Sequence, residues 1–249
     1  MKDLPAFFQP VFLDSVLSTN DEVKRRALAG ASEGTLVVAG EQLAGRGRSG
    51  RKWKSKPGNL YASLLLRPKC DVASAAQISF LAAVALTTAI VKIAPYLTPV
   101  HKWPNDVLIN GAKLSGILLE SAAQSSNVID WLILGIGVNV VHHPEEASMA
   151  ATSLREHGVA KIDAKSMLHA LAPALLHWLG VWQAQGFRPV RTAWLKRATG
   201  LNCPINVRLP REEFSGIFRD LGDDGSLLVE QDDGTIRAIT AGEVFLPQM

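Results

Sequence analysis

Cysteine is nearly missing from this chain: Cys70 and Cys203 are its only two in 249 residues. They stand far apart and outside any CxxC or Cys/His spacing, which argues against a disulfide framework and a structural zinc site. Reduced thiols in a cytoplasmic protein are the expectation. The N-terminal stretch MKDLPAFFQPVFLDS has no apolar core of signal-peptide length and no cleavage pattern. Long hydrophobic runs are absent too. The longest, Ile78 to Val91, is interrupted by Ser79, Thr87 and Thr88; it falls short of a membrane span and reads as a buried helix. There is no GxSxG, no GxxxxGK[ST] and no GxGxxG at a strand-to-helix junction, which disfavours a serine-hydrolase elbow, a Walker A loop and a Rossmann site. His142-His143 lacks further ligand spacing and reads as surface loop.

What is present is a globular composition, 47% apolar and 20% charged, long enough for one large domain or a medium and a small one. Net charge is +3. A basic chain invites a nucleic-acid hypothesis, but the charge is concentrated. Gly45 to Lys56 carries six cations (Arg46, Arg48, Arg51, Lys52, Lys54, Lys56) and no acid, and the remaining chain is net −3.

Val11 to Leu13 reads as a strand. Thr19 and Glu22 have capping-box spacing, predicting a helix from about Asn20 to Gly30. Thr35 to Ala39 and Leu60 to Arg67 read as strands, and Ser74 to Ile93 as a long core helix. The Gly45–Trp53 segment reads as a flexible glycine-rich loop. Asn110-Gly111 between Asp106–Ile109 and Lys113–Glu120 predicts a type I′ hairpin. Trp131 to Val140 is a further strand. Helices are expected over Asp163–Ala184, with a bend at Pro173, and over Val190–Arg197. Residues 198–249 hold four arginines and nine acids, with short β-rich runs at Ile205–Leu209, Phe214–Asp220, Ser226–Glu230 and Ile236–Ile239. That is the pattern of a small β-barrel. The fold class is α+β: a mixed sheet with helices on one face over 1–197, then a barrel over 198–249.

Four segments could carry chemistry, and each has a plainer reading. The basic loop suits phosphate binding through arginines and backbone N–H groups, or is a solvated surface loop. In Lys102-Trp-Pro-Asn-Asp106 the plain reading is a β-turn, but Lys113, at the head of the apolar run KLSGILLE, needs an anionic partner or solvent, and Gly116 would allow a ligand to approach. Gly135-Ile-Gly-Val-Asn139 weakens its strand unless something needs the space. Ser18-Thr19-Asn20 is by default a helix cap. An inventory of cations, amides and glycines with one acid, Asp106, suits nucleotide binding and electrostatic stabilisation more than proton-shuttling hydrolysis.

Together, STN at 18–20, EQLAGRGRSGRKW at 41–53, KWPNDV at 102–107, KLSGILLE at 113–120, GIGVNV at 135–140 and Thr152-Ser-Leu154 resemble the biotin–protein ligase family. The resemblance implies a catalytic domain related to class II aminoacyl-tRNA synthetases and a Src-homology-3-like barrel. It implies conversion of biotin and ATP to biotinyl-5′-AMP, then transfer to a lysine of a carrier such as the biotin carboxyl carrier protein of acetyl-CoA carboxylase. It assigns biotin contacts to Ser18, Thr19, Asn20, Gln42, Arg46, Gly47, Arg48, Lys113 and Gly116. Arg48, Arg51, Trp53, Asn105 and Asn139 are assigned to ATP and the adenylate. Lys113, Arg48 and Asp106 are the expected catalytic groups, with Mg²⁺ carried by the ATP phosphates and no metal ligands in the protein. Some family members are DNA-binding repressors. Here only 17 residues precede Ser18, so a monofunctional ligase without a helix-turn-helix is expected, with no DNA and no membrane partner and a homodimer possible. A lipoate ligase and a non-catalytic nucleotide-binding module are the alternatives.

Overall fold

The computed structural model describes residues 3–123, 128–145 and 149–246. In chain order the elements are β1 (Gln9–Val16), α1 (Thr19–Leu28), β2 (Thr35–Gln42), a single 3-10 turn at Arg48–Gly50, β3 (Leu60–Leu66) and α2 (Val72–Ile93). β4 (Val100–Lys102), β5 (Asp106–Ile109), β6 (Ala112–Ala123) and β7 (Ile129–Val138) follow, then α3 (Ala164–Gln185) and α4 (Phe187–Leu195). The chain ends in β8 (Pro204–Arg208), β9 (Glu213–Leu221), β10 (Leu227–Glu230), β11 (Ile236–Ile239) and β12 (Glu243–Phe245).

A seven-stranded sheet has the order β1-β2-β3-β7-β6-β5-β4, and a five-stranded sheet the order β11-β10-β9-β8-β12. β1 and β2 run parallel and their sheet is antiparallel from there on, a mixed sheet as expected. The second sheet is antiparallel throughout its paired strands.

The helices do not all lie on one face. Side chains alternate along a strand, so Leu36, Val38, Leu64 and Leu134 face the layer of α2, α3 and α4. Their neighbours Val37, Leu65 and Ile133 face the other way, against Val23 and Ala27 of α1. With only two residues in that second cluster, α1 carries too weak an apolar stripe to announce its side. α2 starts earlier than the apolar run, because Asp71 caps it by accepting from Ser74 N at 2.7 Å. At 22 residues it is long and apolar enough to cross a bilayer, yet two-thirds of its apolar window is buried inside this fold.

Other differences are local. Ser18, not Thr19, caps α1, which leaves the Thr19 hydroxyl free for other work. α3 runs through Pro173 as one helix, and α4 begins at Phe187, three residues before the expected start. The hairpin tip has φ 50° at Asn110 and 78° at Gly111, both positive as a type I′ turn requires. β4 and β12, three residues each, were too short to show a pattern. The two sheets share one apolar core, in which Trp194 meets Phe218 edge-on. Trp103 Nε1 donates to Gly225 O at 3.1 Å, and Arg191 pairs with Asp220 at 2.5 Å.

Candidate active site

A cavity of about 670 Å³ opens where the basic loop, the centre of the large sheet, the turn at 103–106 and the edge of the small sheet converge. All fourteen residues singled out as site candidates from the sequence line it, from Ser18 to Asn139. A shallower groove of about 870 Å³ between α2, α3 and α4 contains none of them.

One end is polar and uncharged. Thr19 donates to Gln42 Oε1 from its backbone N–H at 2.9 Å and its hydroxyl at 3.0 Å. Gln42 Nε2 donates to Ser55 Oγ at 3.0 Å. Ser63 Oγ, fully buried on β3, sits 2.7 Å from Thr19 Oγ1 and 2.6 Å from Asn20 Oδ1. Asn20 Nδ2 donates to Glu120 Oε2 at 2.6 Å. Sequence reasoning missed Ser63 and gave Glu120 no role, since each lies on a strand with no local signal beyond its motif.

The strand glycines make room for protein side chains. A Cβ on Gly135 would lie 2.3 Å from Asn20 Oδ1. Gly116 and Gly137 are cross-strand partners on β6 and β7, and Cβ atoms there would fall 3.1 Å and 2.7 Å from the Trp53 indole. Gly116 thus gives room to the Trp53 indole while still lining the cavity. Trp53 Nε1 is buried and has no hydrogen-bond partner among the described residues, an unspent donor facing the cavity floor.

The other end is cationic. Eight Lys or Arg side chains line the cavity against two acids, Asp106 and Glu243, so its field favours a polyanion. The Gly45–Trp53 segment is not a structureless tether. Gly47 N donates to Arg51 O at 2.7 Å and Trp53 N to Gly45 O at 2.9 Å, closing a narrow hairpin whose tip has φ 55° at Ser49 and 71° at Gly50. Acids hold both sides: Arg46 pairs with Asp21 at 2.5 Å and Glu120 at 3.2 Å, and Arg51 with Glu243 at 2.5 Å. Arg48 points inward, and among the described residues its side chain has Asn105 Oδ1 as its hydrogen-bond partner, at 3.4 Å. Burial pushes its guanidinium below its usual pKa, against the opposing pull of the Asp106 carboxylate.

Lys113 leads β6 and pairs with Asp106 at 2.5 Å. Its backbone is clamped on the outer side, N–H to Ala150 O at 2.7 Å and C=O from Thr152 N at 3.0 Å. Asn139 is buried; its C=O accepts from Leu154 N at 3.0 Å, and its side chain reaches Lys113 O at 3.4 Å. Asn59 Oδ1 accepts from the N–H groups of Val140, Val141 and His142 at 2.8–3.0 Å and so fixes the segment that follows β7. Lys102 lies 5.3 Å over the Phe245 ring and 3.4 Å from Met149 Sδ, and burial lowers its pKa. Lys102 lies in a segment that the sequence singles out but gives no role of its own, whereas Phe245, Glu243 and Arg208 were missed because they arrive from the small sheet and carry no local motif. Among the described residues no group of three His, Cys, Asp or Glu is placed to hold a metal.

Residues 8–196 match the model of the biotin/lipoate A/B protein ligase family, and 200–246 that of the biotin protein ligase C-terminal domain. A biotin–[acetyl-CoA-carboxylase] ligase of Paracoccus denitrificans is 40% identical over 92% of this chain and 96% of its own length. The bifunctional ligase/repressor BirA of Bacillus subtilis is 36% identical over 95% of this chain and 73% of its own. The biotin protein ligase of Aquifex aeolicus, solved in complex with biotin and ATP, superposes with a TM-score of 0.83 at 30% identity, covering 97% of this chain and 99% of that one. With both models matched along nearly its whole length, this chain belongs to the biotin/lipoate A/B protein ligase family.

Proposed function

We propose that this chain is an ATP-dependent biotin–protein ligase, a catalytic unit over 1–197 followed by a C-terminal unit over 198–249. The observation that carries the proposal is that an uncharged polar end and a cationic end occupy one cavity. Biotin has the same polarity: a ureido ring that gives and takes hydrogen bonds, and a carboxylate. The dithiolane of lipoate could not hydrogen-bond to the polar end that Thr19, Asn20, Gln42 and Ser63 form, and would strip water from it without replacing those bonds.

In the first step the biotin carboxylate oxygen attacks the α-phosphorus of ATP, pyrophosphate leaves, and biotinyl-5′-AMP forms. Arg48 and Lys113 neutralise the charge gathered on carboxylate and phosphate. Arg51 holds the outgoing phosphates, Trp53 offers its indole face to the nucleoside, and Asn105 and Asn139 frame it. In the second step a neutral lysine amine of the carrier attacks the acyl carbon, AMP leaves, and Asp106 orients the amine or takes its proton. The basic hairpin keeps water from the adenylate meanwhile. Mg²⁺ would be held through the ATP phosphates, where it would screen their charge.

The carrier is the biotin carboxyl carrier protein of acetyl-CoA carboxylase or an equivalent. Five of the six clustered cations line the cavity, so their field is directed at a nucleotide and no specific DNA binding is expected. Two unpaired cysteines and a core-bound α2 accord with a cytoplasmic setting. β1 leaves a free sheet edge with Phe12 59% exposed, where a homodimer could extend the sheet. The test is mass spectrometry of a carrier domain incubated with the protein, Mg-ATP and either biotin or lipoate. A biotin-sized shift on one lysine is the expected result; a lipoyl shift or none would refute the proposal.

A further inference from the structure

We infer that Glu120 is a positioning residue for recognition of the substrate's polar head, acting through Asn20. The inference rests on the biotin reading above and goes beyond it, because Glu120 is outside the cavity lining. Its carboxylate touches two groups, Asn20 Nδ2 at 2.6 Å and Arg46 Nη2 at 3.2 Å.

The argument is one of hydrogen-bond direction. An ionised carboxylate can only accept, so Glu120 holds the amide nitrogen of Asn20 toward itself and turns Oδ1 the other way. Oδ1 can only accept in turn, and it lies 2.6 Å from Ser63 Oγ. Ser63 has one proton for two oxygens, Asn20 Oδ1 and Thr19 Oγ1, and Oδ1 must receive it. The Thr19 hydroxyl keeps its own proton for Gln42 Oε1, 3.0 Å away. One carboxylate at the pocket's rim thereby fixes which atoms of the buried polar end give and which take. Reversing Asn20 would set its oxygen against a carboxylate and its NH₂ against Ser63, presenting the opposite pattern to a ureido ring. Gly135 lets this happen, since any Cβ there would strike Asn20 Oδ1.

The test is steady-state pyrophosphate release with biotin and Mg-ATP varied separately, for wild type, Glu120→Leu, Glu120→Gln and Asp21→Asn. Glu120→Leu should raise KM for biotin about tenfold, with kcat and KM for ATP changed less than about threefold. Glu120→Gln should stay within about threefold of wild type in KM for biotin, because its amide oxygen still accepts from Asn20. Asp21→Asn, which weakens only the Arg46 clamp, should stay within about twofold. Equal damage from Leu and Gln would overturn the inference in favour of a charge effect through Arg46. Equal rises in both KM values would overturn it in favour of general loosening. Wild-type biotin affinity in Glu120→Leu, with wild type itself active, would overturn it while sparing the ligase reading. A wild-type protein that releases no pyrophosphate in response to biotin would overturn both.

Discussion

Lys113 Nζ lies 2.5 Å from Asp106 Oδ1 across the β5–β6 pair, and both side chains are mostly buried, at 26% and 15% exposure. A lysine at the head of an apolar strand needs such an anion while no substrate is bound. A carboxylate or phosphate arriving in the cavity can take over that role. Lys113→Ala should slow biotin-dependent pyrophosphate release by roughly 10²–10³, both through the lost cation and through the bare Asp106 carboxylate left facing the phosphates. Asp106→Asn should spare that step within about tenfold and slow transfer to the carrier more. Single-turnover assays of the two steps check this; a normal adenylation rate in Lys113→Ala would contradict the assignment.

The basic hairpin should act on retention of the intermediate. Arg48 is the half-buried cation at its centre, and the Arg51–Glu243 pair joins it to the small sheet. Arg48→Gly should leave adenylate synthesis measurable and speed escape of biotinyl-AMP, read as free adenylate in solution and biotin on bystander lysines. Glu243→Ala should do the same more weakly, by about 2–5-fold, because a half-exposed ion pair contributes little. Unchanged retention in Arg48→Gly would remove the gating role.

Two glycines should separate the two substrates. Gly135→Ala sets a methyl against Asn20 and should raise KM for biotin. Gly137→Ala sets one 2.7 Å from the Trp53 indole and should raise KM for ATP. Overpacking of this kind costs about 1–3 kcal/mol, so each rise should be roughly 5- to 150-fold. Titration of both variants with both substrates checks the assignment of the two ends.

His101 sets an acid limit on stability. It is fully buried, with Nδ1 2.9 Å from Trp194 O and Nε2 3.2 Å from Thr87 Oγ1. Burial lowers its pKa to about 4, helped by nearby Arg197. Because the folded value lies below the unfolded one, the unfolded chain takes up the proton first, and stability falls as pH drops from 6.5 toward 4. The loss between pH 7 and pH 5 should be about 2 kcal/mol in denaturant unfolding. Glu22, held near pKa 2 by Arg25 and Arg26, loses its contribution only below pH 4.5 and leaves that window clear. His101→Gln should remove most of the slope.

The sequence by itself determined the α+β class, most strands, the Asn110-Gly111 turn and, through its motifs, fourteen of the residues that meet in the cavity. Those features are local: alternation, turn chemistry and short motifs depend on neighbours within a few positions. Tertiary structure decided the rest. It placed α1 on the opposite face of the sheet, because only Val23 and Ala27 mark its side. It spent the strand glycines on Asn20 and Trp53. It brought Glu243 to Arg51 across 192 residues of chain and Phe245 to Lys102 across 143, and set Glu120 beside Asn20 at a separation of 100. Such pairings follow from how sheets stack and strands register, and no local periodicity encodes them.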